Sequence, residues 1–143
     1  MDKSLIAQSS IQINTTPEKI WDVMTNPEKI KAYLFGTNVK TDWKVESPIV
    51  FQGEYQGQQY TDKGNVIESN PNKLLKYNYW SGFSGLEDQP ENYSVVTYKI
   101  EPTGNESFEL TWNQQGFSSE EGKCHTEEGL KTMLEQIKKL AEE

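Results

Sequence analysis

Apolar positions in the middle of the chain return at every second residue. Leu75, Tyr77 and Tyr79 are separated by Lys76 and Asn78, and Val96, Tyr98 and Ile100 by Thr97 and Lys99. Phe108, Leu110 and Trp112 are separated by Glu109 and Thr111. A period of two belongs to strands with one buried face. Near the end the period changes: Leu130, Met133, Leu134, Ile137 and Leu140 follow helical spacing, with Lys131, Glu135, Lys138 and Lys139 outside. The final segment is predicted to be a long helix that covers the apolar face of a sheet.

Turn and cap residues divide the remainder. Leu5 to Ile13 alternates weakly and reads as a first strand. Thr16-Pro17 starts a helix carrying Ile20, Val23 and Met24, since Thr accepts from a free N–H and Pro tolerates the first helical position. Asn26-Pro27 ends that helix and opens a second short one with Ile30, Tyr33 and Leu34. Five β-rich runs follow at Ile49 to Tyr55, Tyr60 to Glu68, Leu74 to Trp80, Tyr93 to Glu101 and Ser107 to Trp112. Gln56-Gly57, Asn70-Pro71-Asn72 and Thr103-Gly104-Asn105 supply connections for an antiparallel meander. Segments 81–91 and 114–123 read as loops on the rim of the sheet. The order predicts one α+β domain over residues 1–143: a curved antiparallel sheet wrapped around a C-terminal α-helix, with two short helices after the first strand.

Composition narrows the function. Hydrophobic residues make up only 34%, but four Trp, seven Tyr and five Phe supply large buried areas, so a folded aromatic core is expected. A net charge of -8 without a basic tract disfavours nucleic acid. The single Cys124 excludes an internal disulfide and suits a reducing compartment, so the chain is expected to be cytoplasmic. No run approaches the roughly 20 apolar residues of a membrane span.

Particular words in the chain resemble one family almost end to end. They are Ile13-Asn14-Thr15-Thr16-Pro17-Glu18-Lys19-Ile20-Trp21, residues 25–36 from Thr25-Asn26-Pro27 to Leu34-Phe35-Gly36, and Gly64-Asn65-Val66-Ile67-Glu68 followed by Asn70-Pro71. The family so resembled comprises homologues of the activator of heat-shock-protein-90 ATPase, within the START-like (SRPBCC) superfamily. Two departures are visible: the family's glycine-rich entry to a strand is reduced to residues 47–53, and its Gly-Trp pair is absent around Cys124-His125. The resemblance implies a helix-grip, Bet v 1-like fold around an apolar cavity. It also implies small-molecule or lipid-like ligands in some relatives, chaperone contact in others, and no shared catalytic set.

One His beside one Cys, Cys124-His125, does not make a transition-metal ligand set, and adjacent helical positions do not face each other as nucleophile and base. No Gly-rich phosphate motif occurs. The carboxylates read as solvated, and no cofactor is expected. The suggestive feature is aromatic: Trp43, Phe51, Tyr60, Tyr77, Tyr79, Tyr98 and Trp112 are expected on the concave face, with Met133 and Ile137 closing a cavity from the helix. Apolar walls with a few hydroxyls suit a planar aromatic or lipid-like molecule. The leading expectation is therefore non-enzymatic binding of a hydrophobic small molecule. A chaperone-interacting or stress-response module and a polyketide-cyclase-like enzyme are its alternatives.

Overall fold

The computed structural model describes residues 1–143 apart from the side chain of Tyr55. Strand β1 (Asp2–Ile13) leads into helices α1 (Pro17–Thr25) and α2 (Pro27–Tyr33), followed by β2 (Asn38–Lys40), β3 (Pro48–Tyr55), β4 (Gln58–Asn70) and β5 (Leu74–Tyr79). Strands β6 (Ser94–Gly104) and β7 (Ser107–Phe117) complete the sheet before helix α3 (Glu120–Glu142). The seven strands lie in the order β1-β7-β6-β5-β4-β3-β2, every neighbouring pair antiparallel. This is the α+β arrangement expected from the alternation, and the helix-grip fold that the resemblance implied. The two helices α1 and α2 carry the chain from one edge of the sheet to the other. Among the described residues, no helix is long and apolar enough to cross a membrane.

Caps set the helix boundaries. Thr16 Oγ1 accepts from Lys19 N at 3.4 Å. The Asn26 N–H donates to the Asp22 carbonyl at 2.8 Å while its Oδ1 accepts from Glu28 N at 3.1 Å, so one residue ends α1 and starts α2. Helix α3 begins ten residues before its apolar stripe. Ser119 Oγ accepts from Gly122 N at 3.1 Å, and Glu120 and Glu121 occupy the first turn, where the helix dipole favours negative charge. The loop expected over 114–123 therefore shrinks to Ser118 and Ser119, because β7 runs on to Phe117. The loop expected over 81–91 contains two short 3₁₀ turns, Gly82–Ser84 and Pro90–Asn92.

Helix α3 buries Leu130, Met133, Leu134, Ile137 and Ala141, chiefly against β1 and α1. Each large apolar side chain so buried contributes roughly 1.5–3 kcal/mol. The β3–β4 hairpin turns through Gln56 (φ 50°) and Gly57 (φ 80°), the paired positive values that match strand twist in a two-residue loop. The sheet bends at Gly64. Residues 58–65 of β4 pair with β3, residues 66–70 pair with β5, and a single Lys63–Trp80 bridge joins the two regions. A Cβ built on Gly64 would lie 1.8 Å from the Asn78 carbonyl oxygen, so glycine alone lets the strands approach this closely.

Candidate ligand-binding site

The inward rows of β3, β5, β6 and β7 bring the expected aromatics together. Trp112 lies edge-on to Tyr98 at 6.4 Å between ring centroids, Tyr98 is 6.3 Å from Tyr77, and Tyr77 is 5.7 Å from Phe51. Phe51 meets Tyr79 edge-on at 5.3 Å. Phe51 and the β5 tyrosines sit on opposite sides of β4, where Gly64 carries no side chain, so the rings meet across that strand. The row extends to Tyr60, whose hydroxyl shares a 2.6 Å hydrogen bond with that of Thr37 and whose ring lies 5.7 Å from Phe83.

A void of about 10 Å³ lies between this row and the segment running from α1 to β3. It is bounded on the sheet side by Phe51, Tyr77 and Tyr98, and on the other by Met24, Tyr33 and Trp43. Of the nine expected lining residues, Trp43, Phe51, Tyr77 and Tyr98 border it. Trp112 stands behind Tyr98, and Tyr60 and Tyr79 lie further along the row. Met133 and Ile137 are buried on α3 without bordering the void. Tyr33 was not among the expected residues, although its place three positions after Ile30 on the apolar side of α2 is the signal that would have included it. Trp43 holds its position through a 3.0 Å hydrogen bond from Nε1 to the Thr25 carbonyl at the end of α1, with its backbone at φ 61°.

Tyr33, Tyr77 and Tyr98 bring hydroxyls to the void, and the Trp112 indole stands behind them. The hydroxyls of Tyr33 and Tyr77 and the indole N–H of Trp112 act on the Tyr98 phenol. Burial raises the Tyr98 phenol and these donors hold it partly down. Burial pushes Tyr33 and Tyr77 well above the usual phenol range, with Tyr98 adding to the effect in each. The Tyr33 hydroxyl donates to the Met24 carbonyl at 3.2 Å. Trp112 Nε1 is buried and completes no hydrogen bond among the described residues. The tyrosines are thus neutral and protonated, and the Trp112 N–H is the donor of the cluster left without a partner.

These shifts carry a pH dependence. A phenol whose ionisation is raised by folding keeps its contribution below the unfolded value of about 10 and loses it as pH rises towards the folded value. Stability is expected to hold to about pH 9 and fall above about pH 10, with the unfolding transition coinciding with the rise in tyrosinate absorbance. Titration of these tyrosines in the folded state near pH 10 would contradict their burial.

Asp62 corrects the reading of the carboxylates as solvated. It occupies the inward row of β4 with Gly64 and Val66 and is only 4% exposed. Its Oδ2 accepts from the Tyr79 hydroxyl, while Oδ1 has no hydrogen-bond partner among the described residues. Burial raises its carboxyl, opposed by the Tyr79 and Ser81 hydroxyls and the Gly82 N–H. Ser81 and Gly82 lie close enough to act on the charge, but neither completes a hydrogen bond to Oδ1. The signal was present in the alternation of Tyr60, Asp62, Gly64 and Val66, which puts Asp62 on the buried face.

A family model described as "Activator of Hsp90 ATPase homolog 1-like protein" matches residues 14–142. The chain belongs to that family. A solved structure from Cytophaga hutchinsonii is similar to this family member at 41% identity, covering 97% of this chain and 94% of its own, with a TM-score of 0.79. An Aha1 dimer from Colwellia psychrerythraea is 16% identical over 96% of both chains, with a TM-score of 0.73. An HSP90 activator from Plasmodium falciparum is 15% identical over 79% of this chain and 74% of its own, with a TM-score of 0.61. The last two share the fold. No curated protein matches the chain in sequence. Among the described residues of this family member, no group of three or more His, Cys, Asp or Glu is placed to hold a metal ion, and Cys124 is an exposed free thiol.

Proposed function

We propose that this protein binds, without catalysis, a planar aromatic or lipid-like small molecule on the concave face, between the aromatic row and the segment from α1 to β3. The observation that carries the reading is the buried, unpartnered Trp112 N–H beside the hydroxyls of Tyr33, Tyr77 and Tyr98 inside an otherwise apolar core. A buried donor without a partner costs about 1–3 kcal/mol. A carbonyl or other acceptor on an apolar molecule would recover that cost while its rings stack among Phe51, Tyr77 and Tyr98. The catalytic alternative has less behind it, since the cluster holds no base and no nucleophile beside one.

The void of about 10 Å³ takes about one water, whereas small-ligand sites need roughly 300 Å³ or more. Binding therefore requires one wall to move. The least anchored wall is the segment between α2 and β3, where the only strand is the three-residue edge strand β2. Its Phe35 sits at φ 54° and is 67% exposed, a backbone state that costs energy for a bulky residue. Movement of this segment is the proposed route of entry.

A second reading rests on that same residue. Phe35 and Phe83, 67% and 52% exposed, offer apolar surface to a protein partner such as a chaperone, in keeping with the family's description.

Calorimetry with planar aromatic carbonyl compounds is expected to show roughly micromolar affinity, about -8 kcal/mol, with a negative heat-capacity change. Tyr77→Phe removes one donor and keeps the ring, so affinity should fall by about 0.5–1.5 kcal/mol with little change in stability. Tyr98→Phe removes the oxygen on which the donors converge, so it should also lower stability, by about 1–3 kcal/mol. Absence of binding across such compounds, or a Tyr77→Phe variant that binds as well as the parent, would refute the ligand reading.

A further inference from the structure

We propose that Asp62 is a second polar anchor of the concave face, taking an O–H or N–H donor of the bound molecule on its unpaired Oδ1. The inference rests on the ligand-binding reading and adds the chemistry of the ligand's other end. Three observations converge on it. Asp62 lies on the same inward face as the aromatic row, 4% exposed, in register with Phe51 on β3. Its Oδ2 is engaged by the Tyr79 hydroxyl, so the carboxyl is held in place, while Oδ1, with Ser81 and Gly82 nearby, completes no hydrogen bond among the described residues. The nearest cation on β4, Lys63, points its ammonium elsewhere, to Asp88 and the face of Trp80.

A buried carboxylate oxygen left in this state destabilises the fold, and burial indeed raises the carboxyl. Such a cost is retained where a ligand removes it. The aromatic row from Tyr98 through Tyr77 and Phe51 to Tyr79 then joins two ends of opposite chemistry. An unpartnered donor stands at Trp112, behind Tyr98, and an unpartnered acceptor stands at Asp62. The class of molecule this selects is a flat apolar skeleton with an acceptor at one end and a hydroxyl or protonated amine at the other.

The test compares three probes near neutral pH by calorimetry: para-hydroxybiphenyl, para-aminomethylbiphenyl and para-methoxybiphenyl. The wild-type chain should bind the hydroxyl or the aminomethyl compound roughly ten-fold or more tightly than the methoxy compound, the share of one hydrogen bond to a charged group. Which of the two binds more tightly distinguishes a neutral from a cationic donor. Asp62→Asn keeps an oxygen for Tyr79 but presents an amide to the ligand, so the preference should vanish while the unliganded protein melts no lower than wild type. Equal binding of all three probes, or a preference that survives Asp62→Asn, overturns the anchor and leaves the ligand reading standing. A lower melting temperature for Asp62→Asn assigns the residue to fastening the Ser81–Ser84 turn and also overturns it. Binding of none of the three overturns both. If the variant does not fold, the wild-type preference decides alone.

Discussion

Ile137→Asp is expected to abolish the cooperative thermal transition. Ile137 is fully buried on α3, and the aspartate would lose roughly 1.5–3 kcal/mol of apolar burial. An unpaired charge in the same place costs about 3–5 kcal/mol more. Together these approach the whole stability of a typical domain, about 5–15 kcal/mol. Protonating the aspartate would reduce the charge penalty, so any residual structure should be greatest at acid pH. Glu135→Ala, on the exposed side of the same helix, should leave melting nearly unchanged. Circular dichroism melts of the two variants separate loss of the buried stripe from loss of helix propensity. Near-normal melting of Ile137→Asp would place the apolar face of α3 elsewhere.

The second large effect is expected at Gly64. An added methyl would lie 1.8 Å from the Asn78 carbonyl oxygen, where real contacts need more than 3.0 Å. Because that oxygen belongs to β5 backbone, relief requires opening the bend between β4 and β5. Overpacking costs about 1–3 kcal/mol where side chains can yield, and backbone can yield less, so Gly64→Ala should reach or exceed the upper end. The aromatic row should also loosen, since Phe51 meets Tyr77 and Tyr79 across this position. At Gly104 an added Cβ meets nothing within 4 Å, and Gly104→Ala should change stability by no more than about 0.5 kcal/mol. Denaturant titration of the two variants measures the difference. Equal stability would mean that the bend does not depend on close approach at Gly64.

Much of the fold was legible because strands with one buried face write their geometry as alternation. Leu75, Tyr77 and Tyr79 and their counterparts on β6 and β7 lie on the face that alternation assigned them. The polar first third of α3 was not legible. Gly122, Lys123, Glu127 and Glu128 contribute no apolar period, and the cap at Ser119 depends on a backbone geometry that composition does not reveal. Strand β2 was missed because three residues are too few for a period to show.

The candidate site was legible only as a set of residue types. That Tyr98 faces Trp112, or that Phe51 reaches Tyr77 across β4, depends on register and on the Gly64 bend, neither of which is local in sequence. Tyr33 joins them only because α2 packs back over the sheet. Asp62 was hidden by the general rule that carboxylates face water. The alternation around it pointed the other way.

The central claim is that the polar cluster on the concave face is the binding site, and the Trp112 indole reports on it directly. Its N–H is buried and unpartnered, so an acceptor arriving at the cluster must change its environment. Titrating nitrogen-15-labelled protein with a planar aromatic carbonyl compound should move the Trp112 indole proton downfield and slow its exchange. The Trp21 indole, outside the aromatic row, should stay in place. If Trp112 is unmoved while amides around Phe35 and Phe83 shift, the molecule binds the exposed apolar surface and the account of the concave face is wrong.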